Sequence, residues 1–211
     1  MNLGLKSRKG FITGGTWCVD HNKLVKDWPK EEEVAEIIEE HIRGGGSACN
    51  LAIDLKRLDP SLPVSTIGLV GEDEDGRQLF QQALEVGLET KLLLTTTIVK
   101  TQKTDAYTAS SSGRRTHLYF AGTAKYLTPD HFDFSQTNAR FLHLGLPGVH
   151  DQLDKPWDKD PNGWVAVLKK ARHAGLVTNL ELCSLPAEQI YEIVTPCLQF
   201  LDVLIVNDFE I

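Results

Sequence analysis

The chain has 211 residues, of which 41% are hydrophobic and 24% are charged, proportions typical of a soluble globular protein with one substantial domain. Its net charge of −7 argues against a sequence-independent nucleic-acid binder, because such a protein needs a basic surface. No apolar run reaches the length of a membrane span and the N-terminus lacks the long apolar segment of a signal peptide, so we expect a cytoplasmic protein that binds neither nucleic acid nor membrane.

The first elements in chain order are a strand and a charged segment. Residues 10–20 are predicted to form a strand that glycines interrupt and that Asp20 closes. Residues 30–42 carry three successive acids and then apolar positions among further acids, a pattern that leaves both helix and strand open. We interpret this segment as partly exposed.

Three successive glycines at residues 44–46 lead into the next element. Without Cβ atoms, the backbone there can turn sharply and approach a ligand closely. The spacing of apolar residues predicts a helix over 47–58, with Ser47 placed to cap it. In the first turn Asn50 adds an amide that can both donate and accept hydrogen bonds.

The glycine run and the helix start together favour a ligand site. Free N–H groups and the positive end of the helix would face a molecule above the loop, and a hydroxyl-rich or anionic ligand suits such donors. A surface linker ahead of a capped helix explains the same pattern without a ligand. Two phosphate-binding patterns are absent, because no lysine follows the glycines as in a P-loop and no strand runs directly into them as in a dinucleotide fingerprint.

The next residues predict one strand and one helix before the chain changes character. Residues 64–70 form a compact apolar strand, and residues 77–86 have a helical spacing that Gly87 ends. The following segments are rich in threonine, tyrosine and β-branched residues with no helix between them, and we expect them to form a satellite sheet with a hairpin turn at residues 111–113. These segments are residues 92–99, 104–112 and 115–121.

Strands and helices alternate again in the last part of the chain. The predicted strands are residues 140–146, 176–182 and 202–206, and the predicted helices are residues 163–174 and 186–195. This alternation predicts a parallel sheet that helices cover on both faces. Asn207 and Glu210 follow the last strand, where the ligand crevice of an open α/β sheet lies, although a turn with solvated polar residues is the simpler interpretation.

Other polar residues are weaker candidates. The four cysteines form no CxxC pair and predict reduced thiols rather than a zinc or redox site. His143 and His150 suggest a metal site, but no third ligand has a suitable spacing. Asn179 and Glu181 lie on a predicted strand, where a satisfied polar pair is favoured over a contact with phosphate.

Five motifs occur in one order along the chain. They are Gly14-Gly15 followed by Asp20, Gly44-Gly45-Gly46 through Asn50-Leu51-Ala52, residues 67–76, Gly87 with Thr90, and Asn207-x-x-Glu210. In this order they resemble the motifs of the ribokinase (PfkB) family of small-molecule kinases. The resemblance covers the whole length of the chain.

The resemblance implies a ribokinase-like fold of three layers, α/β/α, with a central mostly parallel sheet and a small β-sheet lid. The lid would be built from segments at about 17–42 and 95–122. The implied activity is ATP-dependent phosphorylation of a hydroxyl of a sugar or sugar-like molecule, with ATP and Mg²⁺ as cofactors. An exposed lid edge can pair with a second subunit, so a homodimer is also expected.

By the same resemblance, each candidate site residue receives a role. The substrate-binding residues are Asp20, Gly44, Gly45, Gly46 and Asn50. Asn207 would contact the nucleotide phosphates, and Glu210 would hold both the nucleotide and Mg²⁺.

One departure from the family pattern decides what we expect of this chain. The family's most diagnostic run, aspartate-threonine-x-glycine-alanine-glycine-aspartate, does not occur in residues 1–211, and its last aspartate is the family's catalytic base. We therefore expect residues 1–211 to be a single α/β domain, truncated before the nucleotide-binding C-terminal part and inactive alone. The alternatives are a short relative that binds a sugar or nucleoside without phosphorylating it and, less favoured, a dehydrogenase-like dinucleotide binder. Ribose, fructose, ketodeoxy acids and nucleosides all stay open as ligands.

Overall fold

The computed structural model describes residues 8–208 and residue 210, and within them ten strands form two sheets. The strands are β1 (Phe11–Gly15), β2 (Cys18–Val25), β3 (Ile37–Gly45), β4 (Val64–Gly71), β5 (Glu89–Thr96), β6 (Gln102–Ala109), β7 (Arg115–Phe120), β8 (Phe141–Gly145), β9 (Val177–Glu181) and β10 (Val203–Ile205). The helices are α1 (Ser47–Leu58), α2 (Glu74–Glu85), α3 (Asp151–Asp154), α4 (Gly163–His173) and α5 (Ala187–Val194). None of the helices in this part of the chain combines the length and apolar character needed to cross a membrane.

The larger sheet has six strands in the order β10-β9-β8-β1-β4-β5, and every neighbouring pair is parallel. The chain builds outward from β1 through β4 to β5 and then returns to the other side of β1 with β8. The strand order therefore reverses between β1 and β8. In an open α/β sheet such a switch point opens a crevice at the carboxyl ends of the strands.

Helices cover both faces of this sheet and enclose two apolar clusters. On one face α1 and α2 pack over a cluster that includes Trp17 and Val70, and on the other α4 and α5 pack over one that includes Trp164. Side chains alternate along β4, so Val70 belongs to the first cluster while Ile67 and Leu69 belong to the second. These three layers confirm the predicted ribokinase-like α/β/α fold.

The smaller sheet has the strand order β3-β2-β6-β7, with β2 parallel to β6 and the other pairs antiparallel. β2 begins soon after β1 ends, and β3 ends beside the start of α1, so both strands join the central sheet near its switch point. A hairpin turn connects β6 and β7 as predicted, with Gly113 at φ +68° and its N–H donating to the Ala109 carbonyl at 2.8 Å. The assignment of this sheet as a lid stays a prediction.

Two predicted strands, and the charged segment that the sequence left open between helix and strand, differ from the prediction or are decided by the structure. The strand predicted at 10–20 is two strands, because Thr16 and Trp17 carry the chain from the central sheet into the smaller one. The strand predicted at 92–99 corresponds to β5, which pairs with β4 and belongs to the central sheet, since its Leu93 packs into the core. In the charged segment, residues 33–36 are irregular and β3 begins at Ile37. It extends to Gly45, so the expectation that no strand runs directly into the glycines was wrong.

The start of α2 and the capping residue of α1 also differ from the prediction. The Asp73 carboxylate accepts the Gly76 N–H at 2.9 Å, and this cap starts α2 at Glu74, three residues earlier than predicted. α1 begins where predicted, but Gly46 occupies the capping position and Ser47 lies inside the first turn. The prediction that Ser47 caps the helix was therefore wrong, and its hydroxyl is available for other partners.

Candidate functional site

A cavity of about 840 Å³ lies at the carboxyl ends of the central strands, beside the switch point. Thr16, Glu181 and Ile205 line it from the ends of β1, β9 and β10. The start of α1 forms a second side, and the smaller sheet forms a wall opposite the strand ends. The cavity lies where the topology of the sheet predicts a ligand crevice.

Alternate residues of the smaller sheet face this cavity. Asp20 of β2 is opposite Thr104 of β6, which is in turn opposite Tyr119 of β7. Earlier in β7, His117 and Arg115, which lie two and four residues before Tyr119, also line the cavity. Because side chains of a strand alternate between its faces, these residues share the inner face of the sheet.

Asp20 is a half-buried carboxylate of the cavity wall. Its Oδ1 accepts a long hydrogen bond from the Cys18 thiol at 3.4 Å. Burial raises the pKa of the Asp20 carboxyl, while hydrogen bonds from Cys18 and Thr104, and the more distant charges of His117 and Arg115, oppose the rise. Burial also raises the pKa of the Cys18 thiol well above its usual value, so the thiol stays protonated and donates to the carboxylate.

Two of the three predicted glycines shape this site and one does not. A Cβ on Gly45 would overlap the Asp20 carboxylate, so glycine leaves the space that the carboxylate occupies. Gly46 lines the cavity at φ +90°, a conformation that favours glycine, and a Cβ there would overlap Thr16. Gly44 instead faces α2, where a Cβ would meet Gln82.

Asn50 lies on the first turn of α1 and lines the cavity, with an exposed side chain. Its backbone N–H donates to the Gly46 carbonyl at 2.8 Å, which is the first hydrogen bond of the helix. The side-chain amide makes no hydrogen bond to any residue among those described. It can therefore donate and accept hydrogen bonds with a ligand.

Ser47, His143 and Glu181 form a hydrogen-bonded cluster on the central-sheet side of the cavity. The Ser47 hydroxyl donates to Glu181 Oε2 at 2.7 Å and lies 2.7 Å from His143 Nε2, which is itself 3.0 Å from the same carboxylate oxygen. On the other side of the ring, His143 Nδ1 lies 2.7 Å from Asn179 Nδ2. A Cβ on Gly145 would overlap the Ser47 side chain, so this glycine lets α1 approach β8 closely.

The cluster determines the charge of Glu181. The hydrogen bond from His143 is the main reason that the pKa of the Glu181 carboxyl lies below its usual value, with burial opposing and Ser47 adding to the effect. Glu181 therefore presents an ionised carboxylate at the end of β9. Its second oxygen, Oε1, has no hydrogen-bond partner among the described residues.

Asn207 and Glu210 come together after β10. The Asn207 side-chain amide donates to Glu210 Oε1 at 2.8 Å, and its backbone N–H donates to Oε2 at 3.1 Å. The Ser184 hydroxyl also donates to Glu210 Oε1, at 3.2 Å. Of these two predicted residues, only Glu210 lines the cavity. Asn207 contributes indirectly, because its hydrogen bonds orient the Glu210 carboxylate.

The two histidines suggested as metal ligands have different surroundings. His143 belongs to the cluster above, whereas His150 is buried, with Nε2 2.8 Å from the Thr16 hydroxyl and its ring edge-on to Trp164. Burial lowers the pKa of His150 to about 4, so the ring is neutral near pH 7. In the described part of the chain, no group of three or more His, Cys, Asp or Glu residues could hold a metal ion.

The sequence reasoning missed several residues that line the cavity. It treated Ser47 only as a cap and assigned no role to Arg115 or His117. Asn179 and Glu181 were interpreted as a satisfied polar pair at a strand end; the Glu181 carboxylate is indeed hydrogen-bonded, but to Ser47, and it also lines the cavity. Strand alternation in the predicted segment 115–121 could have placed Arg115 and His117 on one face, but nothing in the sequence showed which face turns inward.

A family model described as pfkB family carbohydrate kinase matches residues 14–211. The chain belongs to the pfkB family. No curated protein matches the sequence.

Solved structures of similar fold include the ribokinase of Giardia lamblia, with a TM-score of 0.78 and 18% identity over 97% of this chain and 58% of that one. The ribokinase of Cryptococcus neoformans in complex with ADP has a TM-score of 0.76 and 18% identity over 97% of this chain and 58% of that one. The nucleoside kinase of Methanocaldococcus jannaschii has a TM-score of 0.68 and 18% identity over 97% and 62%. The chain thus spans about 60% of the length of the structures it resembles.

Proposed function

We propose that the protein to which this chain belongs transfers the terminal phosphoryl group of ATP to a hydroxyl of a sugar or sugar-like molecule. The observation that carries the proposal is that one cavity collects Asp20, Gly46, Asn50 and Glu210, which the sequence places far apart. Membership of the pfkB family of carbohydrate kinases supports the same reaction class. The structural relatives include a ribokinase complexed with ribose and ATP.

In this proposal Asp20 and Asn50 bind hydroxyls of the acceptor. The carboxylate accepts from hydroxyls, and the amide both donates and accepts, so together they suit a polyhydroxylated molecule. Gly45 and Gly46 leave room for the carboxylate and for close approach of the ligand. Phosphoryl transfer needs little covalent chemistry from the protein, and positioning of this kind supplies much of the catalysis.

We assign the nucleotide side of the cavity to Asn207 and Glu210. Glu210 fits a magnesium ligand, because its partly buried carboxylate lines the cavity and is oriented by hydrogen bonds from Asn207 and Ser184. Mg²⁺ bound there would neutralise charge on the ATP phosphates, as in other phosphoryl-transfer sites. We also propose that Asn207 contacts the nucleotide phosphates, the role that its motif has in the pfkB family.

We propose that the smaller sheet acts as the lid of this site. It forms one wall of the cavity through Asp20, Thr104 and Tyr119, and β2 and β3 connect it to the central sheet near the switch point. Closure of this wall over the acceptor would exclude water, so that the phosphoryl group passes to the sugar and not to solvent. A cytoplasmic location is part of the proposal, because ATP is the donor and the four cysteines are free thiols.

An assay of ADP formation tests the proposal. Residues 1–211 and a longer protein that includes the family's glycine-rich run and its aspartate are each incubated with ATP, Mg²⁺ and a panel of sugars, sugar phosphates, sugar acids and nucleosides. We expect turnover by the longer protein with at least one acceptor and none by residues 1–211, since the base is missing from them. Robust turnover by residues 1–211 would contradict the claim that this base is essential.

The same panel separates the alternative of a non-catalytic binding protein. Calorimetric binding of a sugar or nucleoside by both proteins, with no ADP formed by either, would replace the kinase proposal with that alternative. The observation in favour of this alternative is that the cavity residues are suited to binding a ligand through hydrogen bonds, and none of them is assigned as the catalytic base.

A further inference from the structure

The wall that β7 contributes to the cavity carries two basic side chains, Arg115 and His117. Both lie on the inner face of the smaller sheet with Tyr119, and all three are exposed in the structure. The side chains of Arg115 and His117 make no hydrogen bond or ion pair with any residue among those described. An arginine that lines a cavity without a partner presents its full set of donors to whatever enters.

The acidic residues of the cavity do not account for this basic wall. Glu181 is held by Ser47 and His143, and Glu210 by Asn207 and Ser184. Asp54 also lines the cavity and lies 3.7 Å from Arg57 of its own helix, and the pKa of Asp20 is raised because burial outweighs the opposing charges of His117 and Arg115. Among the described residues, no acid of the cavity forms an ion pair with Arg115 or His117.

The strand register separates the basic groups from the hydroxyl-binding residues. Asp20, Thr104 and Tyr119 lie in one row across the sheet, while Arg115 lies opposite Thr108, at the start of β7 and four residues before Tyr119. Four residues of an extended strand span about 13 Å, and a long arginine side chain can reach back over part of that distance. A ligand held at Asp20 would have its other end beneath His117 and Arg115.

We propose that the acceptor bound in this cavity carries an anionic group, a phosphate or a carboxylate, which Arg115 and His117 bind. The guanidinium fork matches the paired oxygens of either group, and such charge-assisted hydrogen bonds are about twice as strong as neutral ones. The inference rests on the proposed function, because it narrows the acceptor from sugars in general to sugar phosphates and sugar acids.

Calorimetry with matched ligand pairs tests the inference on the full-length protein. The probes are fructose with fructose 6-phosphate, ribose with ribose 5-phosphate, and glucose with gluconate, measured at low ionic strength without nucleotide. We expect the anionic member of the best-bound pair to bind about tenfold or more tightly than its neutral partner, a difference that corresponds to one charge-assisted contact. The phosphate and gluconate arms distinguish the two kinds of anion.

Two arginine variants assign the effect to Arg115. Arg115→Ala should bring the affinities for the anionic and neutral members of that pair to within about threefold, and Arg115→Lys should keep part of the difference because it keeps the charge. The matched control is Arg114→Ala, since Arg114 is the exposed neighbour in the hairpin turn and does not line the cavity. The control should keep the full preference of the unmodified protein.

The outcomes separate this inference from the proposed function. Equal or tighter binding of the neutral sugars by the unmodified protein would overturn the inference and leave sugar binding intact. An anion preference that survives in Arg115→Ala would also overturn it. Failure of every sugar, neutral or anionic, to bind would overturn the proposed function together with the inference.

Discussion

Asp20 is a carboxylate whose surroundings prepare it for a hydroxyl-bearing ligand. Burial raises its pKa, the Cys18 thiol donates to one of its oxygens, and Gly45 leaves the space beside it. A buried acceptor that a wrong ligand leaves unpaired costs free energy, so such a group discriminates as well as binds. Across the cavity, Asn50 offers an amide whose hydrogen-bonding groups no described residue occupies.

Replacement of Asn50 by alanine should weaken sugar binding without affecting the fold. Asn50 is exposed on α1 and alanine is the best helix former, so the helix should persist. The loss of one or two ligand hydrogen bonds should reduce affinity about tenfold, corresponding to roughly 1–1.5 kcal/mol. Calorimetry with the best-bound sugar measures the loss.

A matched control for this substitution is Gln81→Ala, which removes an exposed amide from α2. The Gln81→Ala variant should bind the best-bound sugar with the same affinity as the unmodified protein. If Asn50→Ala also binds with unchanged affinity, Asn50 does not belong to the site.

At the scale of elements, the starts and ends of helices and strands assemble the site. The first turn of α1 touches the ends of β8 and β9 through the cluster of Ser47, His143 and Glu181. The segment that follows β8 is tied to the end of β1 by the hydrogen bond between His150 and Thr16. Buried polar contacts of this kind hold the strand ends in one arrangement, because leaving them unmade in the core is costly.

His150 should make the protein less stable in mildly acidic solution. Its pKa is about 4 in the folded protein and about 6.5 when unfolded, so the unfolded chain takes up a proton first as the pH falls. The stability that neutral His150 contributes is fully present above about pH 6.5 and is lost progressively as the pH falls from 6.5 to 4. At pH 4.5 the loss should be about 2–3 kcal/mol.

Urea unfolding of the unmodified protein and of His150→Gln at pH 7 and pH 4.5 measures this contribution. Glutamine can keep a hydrogen bond to Thr16 but does not titrate, so the variant should lose less stability on acidification. The control is His173→Gln, an exposed histidine of α4, which should lose as much stability as the unmodified protein. If all three proteins lose the same free energy of unfolding between pH 7 and pH 4.5, protonation of His150 is not the cause of the loss.

At the scale of the whole molecule, the smaller sheet has two chemically different faces. The inner face is polar and lines the cavity, whereas the outer face exposes Ile42, Leu118 and Phe120, which are 46%, 55% and 45% exposed. The strand register places Ile42 and Leu118 in one row across the sheet and Phe120 in the adjacent row. Exposed apolar side chains and a free strand edge together favour association with a second copy.

We therefore expect a homodimer that forms through the smaller sheet. Sedimentation velocity should show a dimer for the unmodified protein and a monomer for Leu118→Asp, because a buried unpaired carboxylate strongly destabilises an apolar interface. Leu58→Asp is the matched control, since Leu58 is 83% exposed at the end of α1, and it should remain dimeric. A monomeric unmodified protein would contradict the prediction.

The sequence predicts much of the fold because helices and buried strands have local signatures. The apolar spacing of α1 places that helix correctly, Gly87 marks the end of α2, and the alternation of strands with helices predicts the parallel sheet. The same local reasoning misplaced β5, since a threonine-rich strand has the same pattern in either sheet. It also missed the Asp73 cap that starts α2 early.

For this protein, the sequence alone determined the fold class, the family resemblance and a set of candidate residues, because these depend on local patterns and motif order. Only the tertiary structure decided which of those residues meet. Ser47, His143 and Glu181 converge because parallel register aligns His143 with Asn179 and places the end of β9 beside the start of α1. The basic pair on β7 faces the cavity for a similar reason, since strand pairing selects which face turns inward.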